Sequence, residues 1–204
     1  GSVSGVDISQ CIRQDNHEIK NILSIKEFNY LKELQRFVKE AKRKESLIFG
    51  FVGRINKDKG IPILINSFKK HLISFPNSKL ILIGPLENNM ISFKNDIKSD
   101  SIMHINYVQN VFVFYHYFDV FVLPSYREGF GSSIIEAASN KVPSISTNIP
   151  GPIDFIEHMI NGYLMRRGSS KDLCDAMNFF AVNPKLIKNF GLHSFNKVTK
   201  KFDR

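Results

Sequence analysis

The sequence places two carboxylates eight positions apart, with two glycines and two serines between them. They bound the stretch Glu128-Gly-Phe-Gly-Ser-Ser-Ile-Ile-Glu136, which follows an apolar run at 119–125 and precedes helix-compatible residues at 137–139. A strand that ends in a glycine turn and opens a helix presents unpaired backbone N–H groups and the positive end of a helix dipole, which suit phosphate. The glycines let that backbone approach a ligand closely. The stretch therefore predicts an anion site.

A structural interpretation of the same stretch stays open. Ser133 and Glu136 have the spacing of a capping box, in which the Glu side chain reaches back to the start of its own helix. On that interpretation Glu136 stabilises a helix and needs no ligand.

A second candidate group lies in the glycine-bounded loop 53–60, which follows the apolar run 47–52 and contains Arg54 and Lys59. Two cations beside a helix N-terminus are the features of a diphosphate site. The alternative is an ordinary solvated turn, and the loop taken by itself does not decide between them.

The elements that must position these residues alternate between apolar strands and helices. Apolar residues recur every three or four positions at about 26–44, which predicts an amphipathic helix, and 47–52 is typical of a strand covered on both faces. The alternation predicts further strands at 79–84, 102–108, 119–123, 143–146 and 163–165, and helices at 62–74, in the segment up to 98, and at 111–118, 133–140, 152–158 and from 170 with a break near 183–184.

This pattern predicts an α/β fold, a Rossmann-like parallel sheet with helices on both faces. We expect one domain at 17–204, preceded by a linker or edge segment at 1–16. Ligands of such sheets bind beyond the carboxyl ends of the strands. The loops 53–60, 84–86, 107–110 and 125–133 should therefore line one crevice.

Composition limits the class of protein. With 43% apolar and 23% charged residues among 204, the chain can bury a full core, and it has neither an 18-residue apolar run nor a signal-peptide pattern. Cys11 and Cys174 lack metal or redox spacing and are typical of reduced thiols, so we expect a cytoplasmic protein. A net charge of +9 favours anionic partners: nucleotides, nucleic acid or an acidic membrane surface.

Metal and nicotinamide chemistry lack their usual sequence patterns. The six histidines are scattered without ligand spacing, no Asp-x-Asp pair occurs, and no Gly-x-Gly-x-x-Gly follows the first strand. We therefore expect no metal and no cofactor. The Phe-rich segment 111–118 has helical spacing and is more typical of core than of a base-stacking surface.

The order and spacing of the motifs resemble the C-terminal half of GT-B glycosyltransferases of family 4, over nearly the whole chain. The matching segments are Ser4-Gly-Val-Asp7, Gly53-Arg54, Lys59-Gly60, the strand at 119–125, the Glu128–Glu136 stretch, Asn148-Ile-Pro-Gly151, Asp154 and Asn161-Gly162. One departure is Lys141, where relatives commonly carry Gly at the end of the motif helix. We expect Asn140 to take over part of that helix-stop role, because Asn tolerates left-handed backbone geometry.

The resemblance implies a retaining transferase that uses a nucleotide diphosphate sugar. Arg54 and Lys59 would bind the diphosphate, Glu128 the donor sugar, and Glu136 the ribose. The resemblance also implies substrate contacts from the main chain near Pro85 and Val108, which would hold the base, and from Gly53, Phe130, Gly131, Ser132 and Ser133.

The resemblance further implies an N-terminal acceptor-binding domain that this chain lacks, so the chain alone should be weakly active or inactive. The expected donor is a UDP-sugar, the transfer hexosyl or N-acetylhexosaminyl, and the acceptor a glycan or lipid-linked molecule of surface polysaccharide synthesis. Expected partners are the donor, the missing domain and an anionic membrane surface on the inner face. Nucleic acid is not expected. The alternative function is a non-catalytic nucleotide-binding or interaction module.

Overall fold

The computed structural model of the protein describes residues 23–97 and 99–202. Strands and helices alternate, as predicted. The strands are β1 (Ile48–Val52), β2 (Lys79–Ile83), β3 (Ile102–Ile105), β4 (Val120–Leu123), β5 (Ser144–Thr147) and β6 (Gly162–Met165). The helices are α1 (Ile25–Arg43), α2 (Ile61–Ser74), α3 (Phe112–Tyr115), α4 (Ser132–Ser139), α5 (Pro152–Phe155), α6 (Ser170–Val182) and α7 (Pro184–Phe202), with a 3-10 helix at Asn88–Phe93.

The six strands form one parallel sheet in the order β3-β2-β1-β4-β5-β6. Chain order reverses between β1 and β4, which lie side by side in the middle of the sheet. In open parallel sheets such a reversal leaves a crevice at the carboxyl ends of the two strands. The Rossmann-like α/β fold is confirmed, and the crevice lies where loops 53–60 and 124–131 leave the sheet.

The core lies between the sheet and the helices. All five residues of β2 and all four of β4 are buried, as continuous apolar strands covered on both faces should be. Helix α1 buries Leu31, Leu34, Val38 and Ala41, the apolar face that the sequence predicts. Phe114 and Tyr115 are fully buried, so the Phe-rich segment is core.

Helix α1 begins with a capping box. The Ser24 hydroxyl accepts from the Glu27 N–H at 3.3 Å, and Glu27 accepts in return from the Ser24 N–H at 2.9 Å. The second carboxylate oxygen of Glu27 accepts from the backbone N–H groups of Gln109 (2.6 Å) and Asn110 (3.0 Å). This buried carboxylate therefore ties α1 to the loop that follows β3.

Helix α2 is joined to α6 through a buried histidine. One ring nitrogen of His71 is 2.6 Å from the Asn178 side-chain oxygen, and the other is 3.0 Å from the Ser78 hydroxyl. Phe49 packs edge-on against the ring. Burial lowers the pKa of His71, although the hydrogen bond to Asn178 opposes this shift. The site therefore favours the neutral imidazole.

Some predicted boundaries were wrong. The segment before 98 forms only the short 3-10 helix and turns, β3 ends at Ile105 and not at 108, and α3 and α5 are single helical turns. Lys141 itself adopts the left-handed conformation, with φ 59°, whereas Asn140 has φ −95°. The left-handed geometry expected of Asn140 was therefore wrong, but Asn140 does share in the helix stop: it is the C-cap of α4, and its side-chain amide donates to the Glu136 carbonyl at 2.8 Å.

Several sequence features fall outside the described residues: the predicted linker 1–16, the motif at 4–7, Cys11 and His17. Cys174 is a free, half-buried thiol, and burial raises its pKa. None of the helices in the described part of the chain combines the length and apolar character needed to cross a bilayer.

Candidate functional site

Three loops at the carboxyl edge of the sheet are joined through their backbones. The Ile55 N–H donates to the Pro85 carbonyl at 2.8 Å, and the Glu87 N–H donates to the Ile55 carbonyl at 3.1 Å. The Tyr126 N–H donates to the Asp58 carbonyl at 2.8 Å. The loops that follow β1, β2 and β4 thus form one continuous surface, as predicted from their position at the carboxyl ends of the strands.

Two glycines allow these loops to lie in backbone contact. Gly84 has φ 140°, and a Cβ built on it would be 2.0 Å from the Gly53 carbonyl oxygen. Gly60 has φ 73°, and its Cβ would be 2.1 Å from the Pro124 carbonyl oxygen. No side chain fits at either position, and L-residues with a Cβ seldom adopt these angles. Gly53, a predicted substrate contact, therefore also shapes the surface.

Lys59 and Glu128 form an ion pair in this surface. The Lys59 Nζ is 2.7 Å from Glu128 Oε2, and their side chains are only 21% and 12% exposed. The Ser125 hydroxyl donates to the same oxygen at 3.2 Å, and the Lys59 N–H donates to the Asn56 side chain at 2.9 Å. Two of the three predicted catalytic residues are therefore in direct contact. Their polar neighbours Ser125 and Asn56 were missed because nothing in their spacing marks them.

Arg54, the third predicted catalytic residue, makes a different ion pair. Its Nη1 is 2.9 Å from the Glu87 carboxylate, and its side chain is 64% exposed. A pair exposed to this degree contributes little to stability, so a more highly charged ligand can compete for the guanidinium. Arg54 lies on the same loop as Lys59, but it points to the β2 side of the surface.

Helix α4 begins at this surface. Gly131 precedes it in the left-handed conformation, with φ 71° and ψ 44°. The N–H groups of Ser132 and Ser133 donate no hydrogen bond to any residue in the described ranges. Phe130, before the turn, is about half exposed. Unpaired N–H groups at a helix start are the chemical feature that binds phosphate.

The capping-box interpretation of Ser133 and Glu136 was wrong. Because the helix begins at Ser132, Ser133 is its second residue and cannot serve as the N-cap. Glu136 Oε2 accepts instead from the Tyr115 hydroxyl at 2.9 Å. Burial raises the pKa of Glu136, and the Tyr115 hydrogen bond acts in the opposite direction. The sequence placed Tyr115 in the core and gave no sign of this contact.

The remaining predicted contacts lie on the β2 and β3 side. The Pro85 carbonyl already accepts one hydrogen bond, from Ile55. Val108 is 7% exposed and follows Tyr107, which is 66% exposed. The next two N–H groups along the chain are held by Glu27. These hydrogen bonds to Glu27 thus fix the position of the main chain next to Val108.

A metal site is not evident at this surface. Within 23–97 and 99–202, no group of three His, Cys, Asp or Glu side chains could hold an ion. The expectation that the protein needs neither metal nor cofactor stays a prediction.

Comparison with known proteins gives a consistent match. The model of the family described as "Glycosyl transferases group 1" matches residues 32–195. The capsular polysaccharide biosynthesis glycosyltransferase CapM of Staphylococcus aureus is 34% identical over 162 residues, which cover 78% of this chain and 43% of that protein. A 2-deoxystreptamine N-acetyl-D-glucosaminyltransferase of Niallia circulans is 30% identical over 160 residues, covering 74% of this chain and 40% of the relative.

Among solved structures, a mutant of TarM from Staphylococcus aureus superimposes with a TM-score of 0.70 at 26% identity, covering 76% of this chain and 32% of that one. That structure was solved in complex with Fondaparinux, alpha-GlcNAc-glycerol and UDP. The chain thus spans less than half the length of each of these three proteins.

Proposed function

The chain belongs to the group 1 glycosyl transferases, and from this premise we propose that it is the donor-binding domain of a retaining nucleotide-sugar glycosyltransferase. The observation that carries the proposal is the Lys59–Glu128 pair, which lies on the same edge of the sheet as the unpaired N–H groups of α4. On this one surface, the cation and the helix N-terminus match the diphosphate of the donor, and the carboxylate matches its sugar hydroxyls.

Lys59 and Arg54 bind the diphosphate in this proposal and stabilise the negative charge that develops on it as the sugar departs. Fixed cations are suited to that task because they need no reorganisation during the reaction. The N–H groups of Ser132 and Ser133 supply further donors to phosphate or sugar, together with the backbone of Phe130 and Gly131. Arg54 exchanges its exposed Glu87 partner for the diphosphate.

Glu128 accepts hydrogen bonds from hydroxyls of the donor sugar. Its Oε2 is already held by Lys59 and Ser125. This leaves Oε1 for the sugar. Glu136 accepts from the ribose hydroxyls, and the main chain near Val108 and Pro85 contacts the base. Gly53 gives the diphosphate close access to the backbone of the loop after β1.

The proposed transfer keeps the configuration of the anomeric carbon. The bond from that carbon to the diphosphate oxygen breaks, and its electron pair leaves with the nucleotide. The acceptor hydroxyl oxygen bonds to the same face of the carbon, and its proton passes to the departing phosphate. No protein nucleophile is needed on this route, so the residues contribute electrostatics and orientation.

A UDP-sugar is the proposed donor, of the hexosyl or N-acetylhexosaminyl type. The support is that one relative is named an N-acetyl-D-glucosaminyltransferase and the TarM structure contains UDP. A glycan or lipid-linked acceptor in surface polysaccharide synthesis is supported by the name of the capsular relative. The proposal includes no metal. It places the enzyme in the cytoplasm, at an anionic membrane surface, with an acceptor-binding domain as its partner.

Calorimetric titration of this chain with UDP, GDP and ADP tests the donor site. We expect UDP to bind most tightly and Arg54→Ala and Glu136→Ala each to weaken it. Lys57→Ala is the matched control, because Lys57 is an exposed cation on the loop of Arg54. Absence of binding by every nucleotide at millimolar concentration would contradict the proposal. Binding by the chain without transfer, even when an acceptor domain is supplied, would favour a non-catalytic nucleotide-binding module instead.

A further inference from the structure

The hydroxyl of Tyr115 lies between two parts of the donor surface. It is 2.9 Å from Glu136 Oε2 and 3.3 Å from the Ser133 carbonyl oxygen. A tyrosine hydroxyl has one proton to donate, and the shorter distance and the charged acceptor both favour the carboxylate. The tyrosine residue is fully buried, and its ring packs against Phe118 and Phe121 at centroid distances of 5.5 and 5.7 Å. The hydroxyl is therefore held in place by the core.

Glu136 has two carboxylate oxygens with different surroundings. Oε2 accepts from Tyr115, whereas no residue in the described part of the chain hydrogen-bonds Oε1. A Glu side chain has three rotatable bonds, and fixing them opposes binding unless the protein has already ordered them. A carboxylate held through one oxygen keeps the other for a ligand in a defined position.

We propose that Tyr115 is a positioning residue for the ribose site: its hydroxyl fixes the Glu136 carboxylate so that Oε1 can accept from the 2′- and 3′-hydroxyls of the nucleotide. This inference rests on the proposed function, which assigns the ribose to Glu136. It adds a residue that neither touches the substrate nor belongs to the Glu128–Glu136 stretch.

A second property of the contact supports this role. Burial raises the pKa of Glu136, and the hydrogen bond from Tyr115 lowers it. The tyrosine therefore favours the ionised carboxylate, which is the form that accepts from two hydroxyls at once. Orientation and ionisation of the carboxylate both depend on one hydroxyl.

The test compares UDP with 2′,3′-dideoxy-UDP, which lacks the hydroxyls that Glu136 binds. Titrations with wild-type protein, Tyr115→Phe and Glu136→Ala measure how strongly each discriminates between the two ligands. We expect Tyr115→Phe to weaken UDP binding about fivefold and to leave the affinity for dideoxy-UDP unchanged. Tyr117→Phe is the matched control, because it removes a hydroxyl that bonds Gln35 on α1 and not Glu136. Circular dichroism checks that each variant is folded.

The outcomes separate the two proposals. If Tyr115→Phe weakens both ligands by the same factor, or neither, Tyr115 is only a packing residue and the inference is wrong, provided that Glu136→Ala abolishes the discrimination. If Glu136→Ala still discriminates between the ligands, the ribose role in the proposed function is wrong, and the role of Tyr115 is overturned with it.

Discussion

Removing Lys59 should leave the Glu128 carboxylate without its cation in a place that water reaches poorly. The Glu128 side chain is 12% exposed and that of Lys59 21%. Breaking a fully buried ion pair costs about 3–5 kcal/mol and breaking an exposed one about 0–1 kcal/mol. This pair lies nearer the buried limit, and Ser125 still donates to the carboxylate. We therefore expect Lys59→Met to lower the free energy of unfolding by about 2 kcal/mol.

Removing the charge of Glu128 should lower the free energy of unfolding less than removing that of Lys59. In Glu128→Gln, Lys59 can extend its long side chain to water, and the amide oxygen can still accept from Ser125. We expect a loss of about 1 kcal/mol or less. The double variant should be more stable than Lys59→Met, because it removes the unpaired carboxylate together with its cation. A double-mutant cycle over these variants isolates the coupling between the two residues.

The chain has no tryptophan, so urea unfolding should be followed by circular dichroism. At a slope of about 2 kcal/mol per M of urea, a loss of 2 kcal/mol lowers the midpoint by about 1 M. Lys57→Met, an exposed cation on the same loop, is the control and should shift the midpoint by less than about 0.2 M. If Lys59→Met behaves like this control, or the double variant is the least stable, the pair does not stabilise the site.

Three further predictions concern residues that hold loops and helices of the fold in place. Gly151→Ala should unfold the protein or lower its thermal midpoint strongly, because Gly151 has φ 93° and the new Cβ would be 2.0 Å from the Gly129 carbonyl oxygen. Gly129→Ala is the control: its Cβ would meet nothing within 4 Å, so the variant should be tolerated. Glu27→Ala should lower the free energy of unfolding by about 1–3 kcal/mol in urea titrations, because it leaves two loop N–H groups without their acceptor; an unchanged midpoint would contradict this. Burial lowers the pKa of His71 below its usual 6.5, so below that pH the unfolded chain binds more protons than the folded one, and the free energy of unfolding should fall as the pH drops below about 6.5. His71→Gln should make the free energy of unfolding depend less on pH in that range. An unchanged pH dependence would contradict the neutral, buried state of His71.

Features that depend on residues close together in the sequence could be predicted from it. The apolar period of α1 and the continuous apolar runs of β1 and β2 decide which faces are buried, so these elements matched closely. The rule that ligands bind beyond the carboxyl ends of parallel strands then places the loops 53–60 and 125–133 on one edge of the sheet, whereas the strand order itself was not predicted. This is why the sequence could bring Lys59 and Glu128, 69 positions apart, to the same surface.

Features that depend on one backbone angle or on a distant partner could not be predicted. Ser133 and Glu136 have the correct spacing for a capping box, but the N-cap is the left-handed Gly131, so the helix starts two residues too early for it. Glu87 and Tyr115 pair with residues 33 and 21 positions away, and sequence spacing carries no information about such contacts. Lys141 adopts an angle that residue type alone argues against.

The backbone contacts at the carboxyl edge also limit how this protein can be engineered. Gly53, Gly60 and Gly84 lie where a carbonyl oxygen or left-handed geometry excludes a side chain, so a library that varies them would consist mainly of unfolded variants. Gly129 faces open space and Tyr107 is largely exposed. Efforts to change the preference of the proposed donor site should therefore randomise Gly129 and Tyr107 and keep the other three glycines fixed.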